Sequence, residues 1–284
     1  MNGYINVYKP SGISSHDCIY KVRRALGTKR VGHTGTLDPM AEGVLPICVG
    51  KATRASDMIM ATEKEYKATL TFGTKTTTAD SEGEVLERSD YIPSKSEFES
   101  IIPKFLGEIM QIPPMYSAVH HNGKRLYQLA REGKSVERSP RKITIFDIKL
   151  LSFGEGKATM LITCSKGTYI RTLLEDMSES IGTYGHMSAL TRCRSGVFSI
   201  ENSIKIEDIS QEKLMPTDSM FMHYEKIILN EENTKRVLNG VPLKIGCREG
   251  TIYRVYSNED KFLCLSEGIA EDSRSVLKMI KSFY

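Results

Sequence analysis

One carboxylate is set apart by its neighbours. The run Gly32–Pro46, GHTGTLDPMAEGVLP, gathers Gly32, Gly35 and Gly43 with Pro39 and Pro46 around Asp38. A proline at position 39 disfavours helical backbone at Asp38 and pushes it toward an extended or bridge conformation. Flanking glycines let another molecule come close to the backbone. An ionised acid on a stiff, glycine-flanked loop can act as a nucleophile or as a general base. Aspartate before proline is also a common turn former. The residues alone leave both readings open.

Other chemistries are poorly served. There is no H-x-x-x-H pair, no His/Cys cluster and no carboxylate group with metal-ligand spacing. Six cysteines (Cys18, Cys48, Cys164, Cys193, Cys247, Cys264) are scattered and form no C-x-x-C pair. They read as idle thiols of a reducing compartment rather than a disulfide framework. Gly73-Thr74-Lys75-Thr76 lacks the spacing of a phosphate loop. Ser14, His16 and Asp17 are near neighbours but lack a nucleophile-elbow context. His120-His121 has no further ligand in view.

These residues need a scaffold. At 284 residues the prior is two domains. Hydropathy predicts a helix from His16 to Leu26, with Ile19, Val22 and Leu26 on one face. Glu65–Gly73 alternates, placing Tyr66, Ala68, Leu70 and Phe72 on one face of a strand. Ser94-x-x-Glu97 predicts a capping box ahead of Phe98, Ile101, Ile102 and Phe105, with Pro103 interrupting that helix. Ile143–Leu151 and Ala158–Cys164 read as strands, and Thr172–Ile181 as a helix. Residues 112–142 have no steady period and hold a short helix near Leu126–Arg131. Loops of that length are usually functional or disordered. Short strands at Thr251–Tyr256 and Phe262–Leu265 predict a small β-rich tail docked on the rest. The start shows no signal peptide and no stretch is apolar enough to span a membrane, so a cytoplasmic protein is expected.

Net charge is +4, mildly basic, and unevenly spread. Residues 120–142 carry Lys124, Arg125, Arg131, Lys134, Arg138, Arg141 and Lys142 against Glu132 and Glu137. Residues 201–232 are acidic. This suggests one surface for phosphates and an acidic connector facing elsewhere.

Several stretches, in order, resemble the TruB family of tRNA pseudouridine synthases. They are NVYKPSGISS (6–15), the Asp38 loop, EYKATLTFGTKTTTAD (65–80), QIPPMYSAVHHNGKRLYQLAREG (111–133), SKGTYIRTL (165–173) and SALTRCRSGVFS (188–199). Met40 and Glu42 depart from the commonest residues at their places. The resemblance is strong over about 3–200 and weak in the tail.

The resemblance implies an α/β (α+β) catalytic domain over 1–225 with a central mixed, mostly antiparallel sheet. It further implies a tRNA-binding insertion at about 112–142 and a small PUA-like β domain at 226–284. Asp38 would be the catalytic carboxylate, attacking the sugar or removing a sugar proton. Arg171 would hold it ionised, since an arginine fork matches a carboxylate and its charge lowers the acid's pKa. Tyr66 would stack on the extruded uracil and help remove its C5 proton. His33 would support the space the uridine leaves, Leu190 would wall the base pocket, and Lys9 and Pro10 would be scaffold and RNA contacts. No cofactor or metal is implied. The partner would be the T-arm of tRNA, with no membrane and no protein partner, and a monomer is expected. Two other readings are a synthase acting on another RNA and a non-catalytic tRNA-folding chaperone; intact Asp38, Tyr66 and Arg171 favour catalysis. Neutralising Lys124, Arg125, Arg131 and Lys134 together should weaken tRNA binding and flatten its salt dependence in a filter-binding titration. An unchanged affinity and slope would count against the insertion.

Overall fold

The alternation of Glu65–Gly73 becomes a strand at Lys64–Phe72, with Tyr66, Ala68, Leu70 and Phe72 buried. The structure is a computed structural model and describes residues 1–271 and 274–284. This strand is central in a sheet of nine described strands. The order is Gly3–Lys9, Glu42–Val49, Gly185–Ser195, Lys64–Phe72, Lys157–Cys164, Arg141–Gly154, Gly107–Gln111. Val31–His33 adds to Glu42–Val49, and Phe198–Ser199 to Gly185–Ser195. Every pairing is antiparallel except that of Glu42–Val49 with Gly185–Ser195. The sheet is therefore mixed and mostly antiparallel, as expected.

Helices cover the sheet where apolar stripes demand it. Leu173, Leu174 and Met177 of the helix Ile170–Glu179 join Phe98 and Ile101 of the helix Lys95–Ile101 over Tyr66, Ala68, Leu70 and Phe72. The Ser94–Glu97 capping box forms, and the α-helix gives way to a 3-10 turn at Ile102–Phe105, where Pro103 removes a donor. Cys18, Ile19, Val22 and Leu26 of the helix Ser15–Leu26 pack on Ile5, Val7, Leu45, Ile47 and Val49. The other side of these strands, with Tyr4, Val44 and Cys48, meets Leu265 and Phe283. Leu265 belongs to, and Phe283 directly follows, a four-stranded sheet built from Glu225–Ile228, Ile252–Tyr256, Phe262–Glu271 and Arg274–Ser282. The small β domain is thus docked through a shared apolar cluster.

The acidic connector runs along the edge strand Gly3–Lys9. Tyr4 and Met215 exchange backbone hydrogen bonds at 3.0 and 2.8 Å, and Ile204 bonds Asn6 and Tyr8 at 2.8 Å each. It satisfies an edge that would otherwise be open. Residues 112–140 form the insertion, with a hairpin at His120–Arg125 and the helix Leu126–Arg131. Arg141 and Lys142, expected in the insertion, belong instead to a sheet strand.

Gly43 departs from the sequence reading. Its φ is +103°, and a Cβ there would lie 2.4 Å from the Arg192 carbonyl oxygen. The space that glycine provides is filled by the chain's own Gly185–Ser195 strand rather than by another molecule. Gly43→Ala should therefore cost roughly 2 kcal/mol or more. Urea unfolding should show a lower midpoint at unchanged m-value, and a shift below about 0.5 kcal/mol would contradict this packing.

Candidate active site

Asp38 lies between the strands Val31–His33 and Glu42–Val49, in a turn closed by Ala41 N–H donating to the Asp38 carbonyl at 3.1 Å. The backbone makes the turn expected of aspartate before proline, and the side-chain carboxylate takes no part in that bond. The run 6–15 clamps the loop from outside. Ser15 Oγ, buried, accepts from Leu37 N–H at 2.8 Å and donates to Leu37 C=O at 3.1 Å. Lys9 Nζ donates to the carbonyls of Pro10, Ile13 and Pro39 at 2.9, 2.6 and 3.1 Å. Ser11 Oγ donates to Met40 C=O at 2.9 Å, and Gly12 N–H to Pro39 C=O at 2.9 Å. Lys9 is 0% exposed and its ammonium is saturated, an arrangement that fits the scaffold part of its expected role. Pro10 beside it is exposed.

Arg171, in the first turn of its helix, is 5% exposed and meets the carboxylate. Its Nε lies 3.0 Å from Asp38 Oδ2 and its Nη2 3.3 Å from Oδ1, a two-pronged pair. The remaining N–H groups also have partners. Nη1 donates to Thr78 C=O at 3.0 Å and faces Asp80 Oδ2 at 3.5 Å, and Nη2 donates to Tyr116 C=O at 2.8 Å. The helix start is fixed by Gln111, whose side-chain amide bonds the Tyr169 N–H and C=O at 2.9 and 3.0 Å.

Asp80 was missed as a site residue. Its Oδ1 accepts from Thr78 Oγ1 at 2.5 Å and Glu82 N–H at 3.1 Å, next to Ala79 at φ +58°. Two carboxylates therefore share one guanidinium, but not equally. The Asp38 side chain is 33% open to solvent and that of Asp80 4%, so only Asp38 can touch a substrate.

Arg171 lowers the acid's pKa, as expected, but burial weighs more. Walls around the Asp38 carboxyl desolvate it and raise its pKa; Arg171 pulls it down, Asp80 pushes it up and Lys9 pulls it down, with a net rise. The arginine orients the acid without overcoming its burial.

Arg192 is the second residue that sequence reasoning missed. It is 2% exposed and lies opposite Tyr66 in the sheet. Its Nε donates to Val44 C=O at 2.7 Å and its Nη2 to Gly35 C=O at 3.1 Å, bracing the Asp38 loop from inside. A charge so deep in a strand is costly unless bonded, and the period of a strand does not reveal it. Tyr66 and Leu190, at 9% and 7% exposed, share one apolar cluster with Leu37 and Ala41 on either side of Asp38. Burial raises the Tyr66 phenol pKa, against the charge and hydrogen bond of Arg192. His33 is half-buried and its Nδ1 accepts from Gly35 N–H at 3.4 Å. Burial, then the charges of Arg192, His16 and Arg125, lower its pKa, which keeps the ring neutral. Lys124, Arg125, Arg131 and Lys134 are exposed on the insertion, but Lys124 and Lys134 pair with Glu132 at 3.2 and 2.8 Å.

Residues 23–170 match the sequence model of the TruB family pseudouridylate synthase N-terminal domain, and 171–232 that of the tRNA pseudouridylate synthase B C-terminal domain. Proteins called tRNA pseudouridine synthase B are similar over nearly the whole chain. One from Clostridium kluyveri is 41% identical over 293 residues, covering 100% of both chains. One from Clostridium tetani is 43% identical over 291 residues, covering 99% of each. The chain belongs to the TruB family. The TruB fold recurs in the crystal structure of a Cbf5-Nop10-Gar1 complex, with TM-score 0.73 and 23% identity over 99% of this chain and 85% of that one. The central sheet crosses the junction of the two TruB sequence models, since Gly185–Ser195 lies in the second. Among the described residues no helix is long and apolar enough to cross a membrane.

The Asp38 carboxyl should titrate above the ordinary aspartate value of about 3.9. Asp80→Asn should move it down, because the Asp80 charge is one cause of the rise. Carboxyl-carbon NMR, assigned with Asp38→Asn, reads both shifts; an ordinary value, or an upward move in Asp80→Asn, would contradict the account.

Proposed function

We propose that this chain isomerises uridine to pseudouridine in the T-loop of tRNA, at position 55, with Asp38 as the catalytic carboxylate. The observation that carries this reading is a carboxylate gripped on both oxygens by Arg171 yet one-third open to solvent. In the reaction the N1–C1′ bond breaks, the base turns, and C5 bonds to C1′. N1 ends with a proton and C5 loses one, so no net redox change occurs. Asp38 enters ionised, whether it attacks C1′ or takes a sugar proton.

The target base must leave its stack, at a cost of a few kcal/mol. Tyr66 offers it an aromatic face beside Leu190. The same ring, close to Arg192, also helps remove the C5 proton. The neutral ring of His33 supports the vacated space. The insertion 112–140 supplies phosphate contacts from Arg125 and Arg131, with Lys124 and Lys134 exchanging Glu132 for phosphate. Residues 1–225 form the catalytic domain, and 226–284 form a PUA-like domain that binds a more distant part of the same RNA.

Tritium release from tRNA carrying [5-³H]uridine tests the assignment. The wild type should release label, and Asp38→Asn should fall by roughly 10³-fold or more, about 4 kcal/mol of barrier. Equal release from both would remove Asp38 from the chemistry. No release from the wild type, with tRNA refolding intact, would make the protein a chaperone.

A further inference from the structure

The helix Ser15–Leu26 has a second face that the fold does not use. Ser15, Cys18, Ile19, Val22 and Leu26 are buried. His16, Tyr20 and Arg24 follow one another at four-residue spacing on the opposite side and are exposed. Tyr20 is 57% exposed, a large ring that gains nothing from the core. The His16 ring meets it edge-on at 4.8 Å, and the Arg23 guanidinium lies 5.7 Å from its centre.

Charge on this face is concentrated and unspent. Residues 15–30 carry Lys21, Arg23, Arg24, Lys29 and Arg30 against Asp17, a local +4 that equals the net charge of the whole chain. The Asp17 carboxylate is occupied in the helix cap, accepting from Ser14 N–H at 2.8 Å and Ser14 Oγ at 2.6 Å. Among the described residues none of the five cations forms an ion pair, whereas Lys124 and Lys134 of the insertion both pair with Glu132. The face is also well placed. At one end, Ser15 Oγ bonds the Leu37 N–H and C=O of the Asp38 loop at 2.8 and 3.1 Å. At the other, Arg30 Nε donates to Thr53 Oγ1 at 2.9 Å, and the adjoining Arg54 donates to Ser282 C=O of the small β domain at 2.9 Å.

We propose that the outward face of Ser15–Leu26, continued by Lys29 and Arg30, is a docking surface for the sugar-phosphate backbone of the RNA arm that carries the target loop. It rests on the RNA-substrate reading above and adds a second basic surface to that of the insertion. The helix is about 18 Å long, enough to follow several successive phosphates. Unpaired cations bind phosphate at no cost of breaking a prior pair, and each phosphate so neutralised releases counterions.

The test is the combined variant Lys21→Gln, Arg24→Gln, Lys29→Gln and Arg30→Gln, all exposed positions. Its dependence of log affinity for tRNA on log salt should be shallower by about 2 to 4, at roughly 0.9 for each phosphate no longer neutralised. KM should rise at least about tenfold, with kcat at saturating tRNA unchanged. A matched set, Lys95→Gln, Lys104→Gln, Lys149→Gln and Lys157→Gln, removes the same charge from exposed positions elsewhere and should leave both quantities alone. An unchanged slope in the first variant, or an equal loss in the matched set, would overturn the proposal. A wild type that neither binds nor turns over tRNA would instead sink the functional reading, and this surface with it.

Discussion

The site depends on one guanidinium. Arginine has five N–H donors in a rigid fork, and all five on Arg171 face an acceptor. Through them the helix Ile170–Glu179, the Asp38 loop, the Thr78–Asp80 turn and the Tyr116 end of the insertion become one body. A lysine carries the same charge but cannot make four such connections at once. The second acid has a physical purpose here. Asp80 helps neutralise a cation that sits, unfavourably, at a helix N-terminus. It also adds to the field that keeps the Asp38 pKa up. The Tyr116 carbonyl lies in the same grip, so the root of the insertion and the Asp38 carboxylate are mechanically joined.

A loop so held cannot drift. Outside, Lys9, Ser11, Gly12 and Ser15 bond its backbone at 37, 39 and 40. Inside, Arg192 ties Gly35 and Val44 and lies against Tyr66. Leaving one such buried group unpaired costs about 1–3 kcal/mol, more where it is charged. Each such bond therefore resists displacement of the loop that carries Asp38. Gly43, suggestive in sequence as a place for another molecule to approach, lies instead against the backbone of Arg192.

The legible parts were those with one wet face and one dry face. Ser15–Leu26, Lys64–Phe72 and Lys95–Ile101 carry clear periods or caps, which mark their bounds nearly to the residue. Gly3–Lys9 and Glu42–Val49 were not, because they are buried on both sides and their runs do not alternate. Gly185–Ser195, central to the sheet, was hidden by two register shifts and a buried arginine. At the site, Asp38, Tyr66 and Arg171 came from local motifs and ordered resemblance. Asp80 and Arg192 act on the site only through partners more than forty residues away in sequence, which no local pattern encodes.

The central claim is that Arg171 acts through its fork and not merely its charge. Arg171→Lys keeps the charge and removes the two-pronged grip. Single-turnover pseudouridine formation on saturating tRNA measures the consequence directly. The rate should fall roughly 10²-fold, about 2.7 kcal/mol, with tRNA affinity within about twofold. A lysine variant that turns over at the wild-type rate would contradict it.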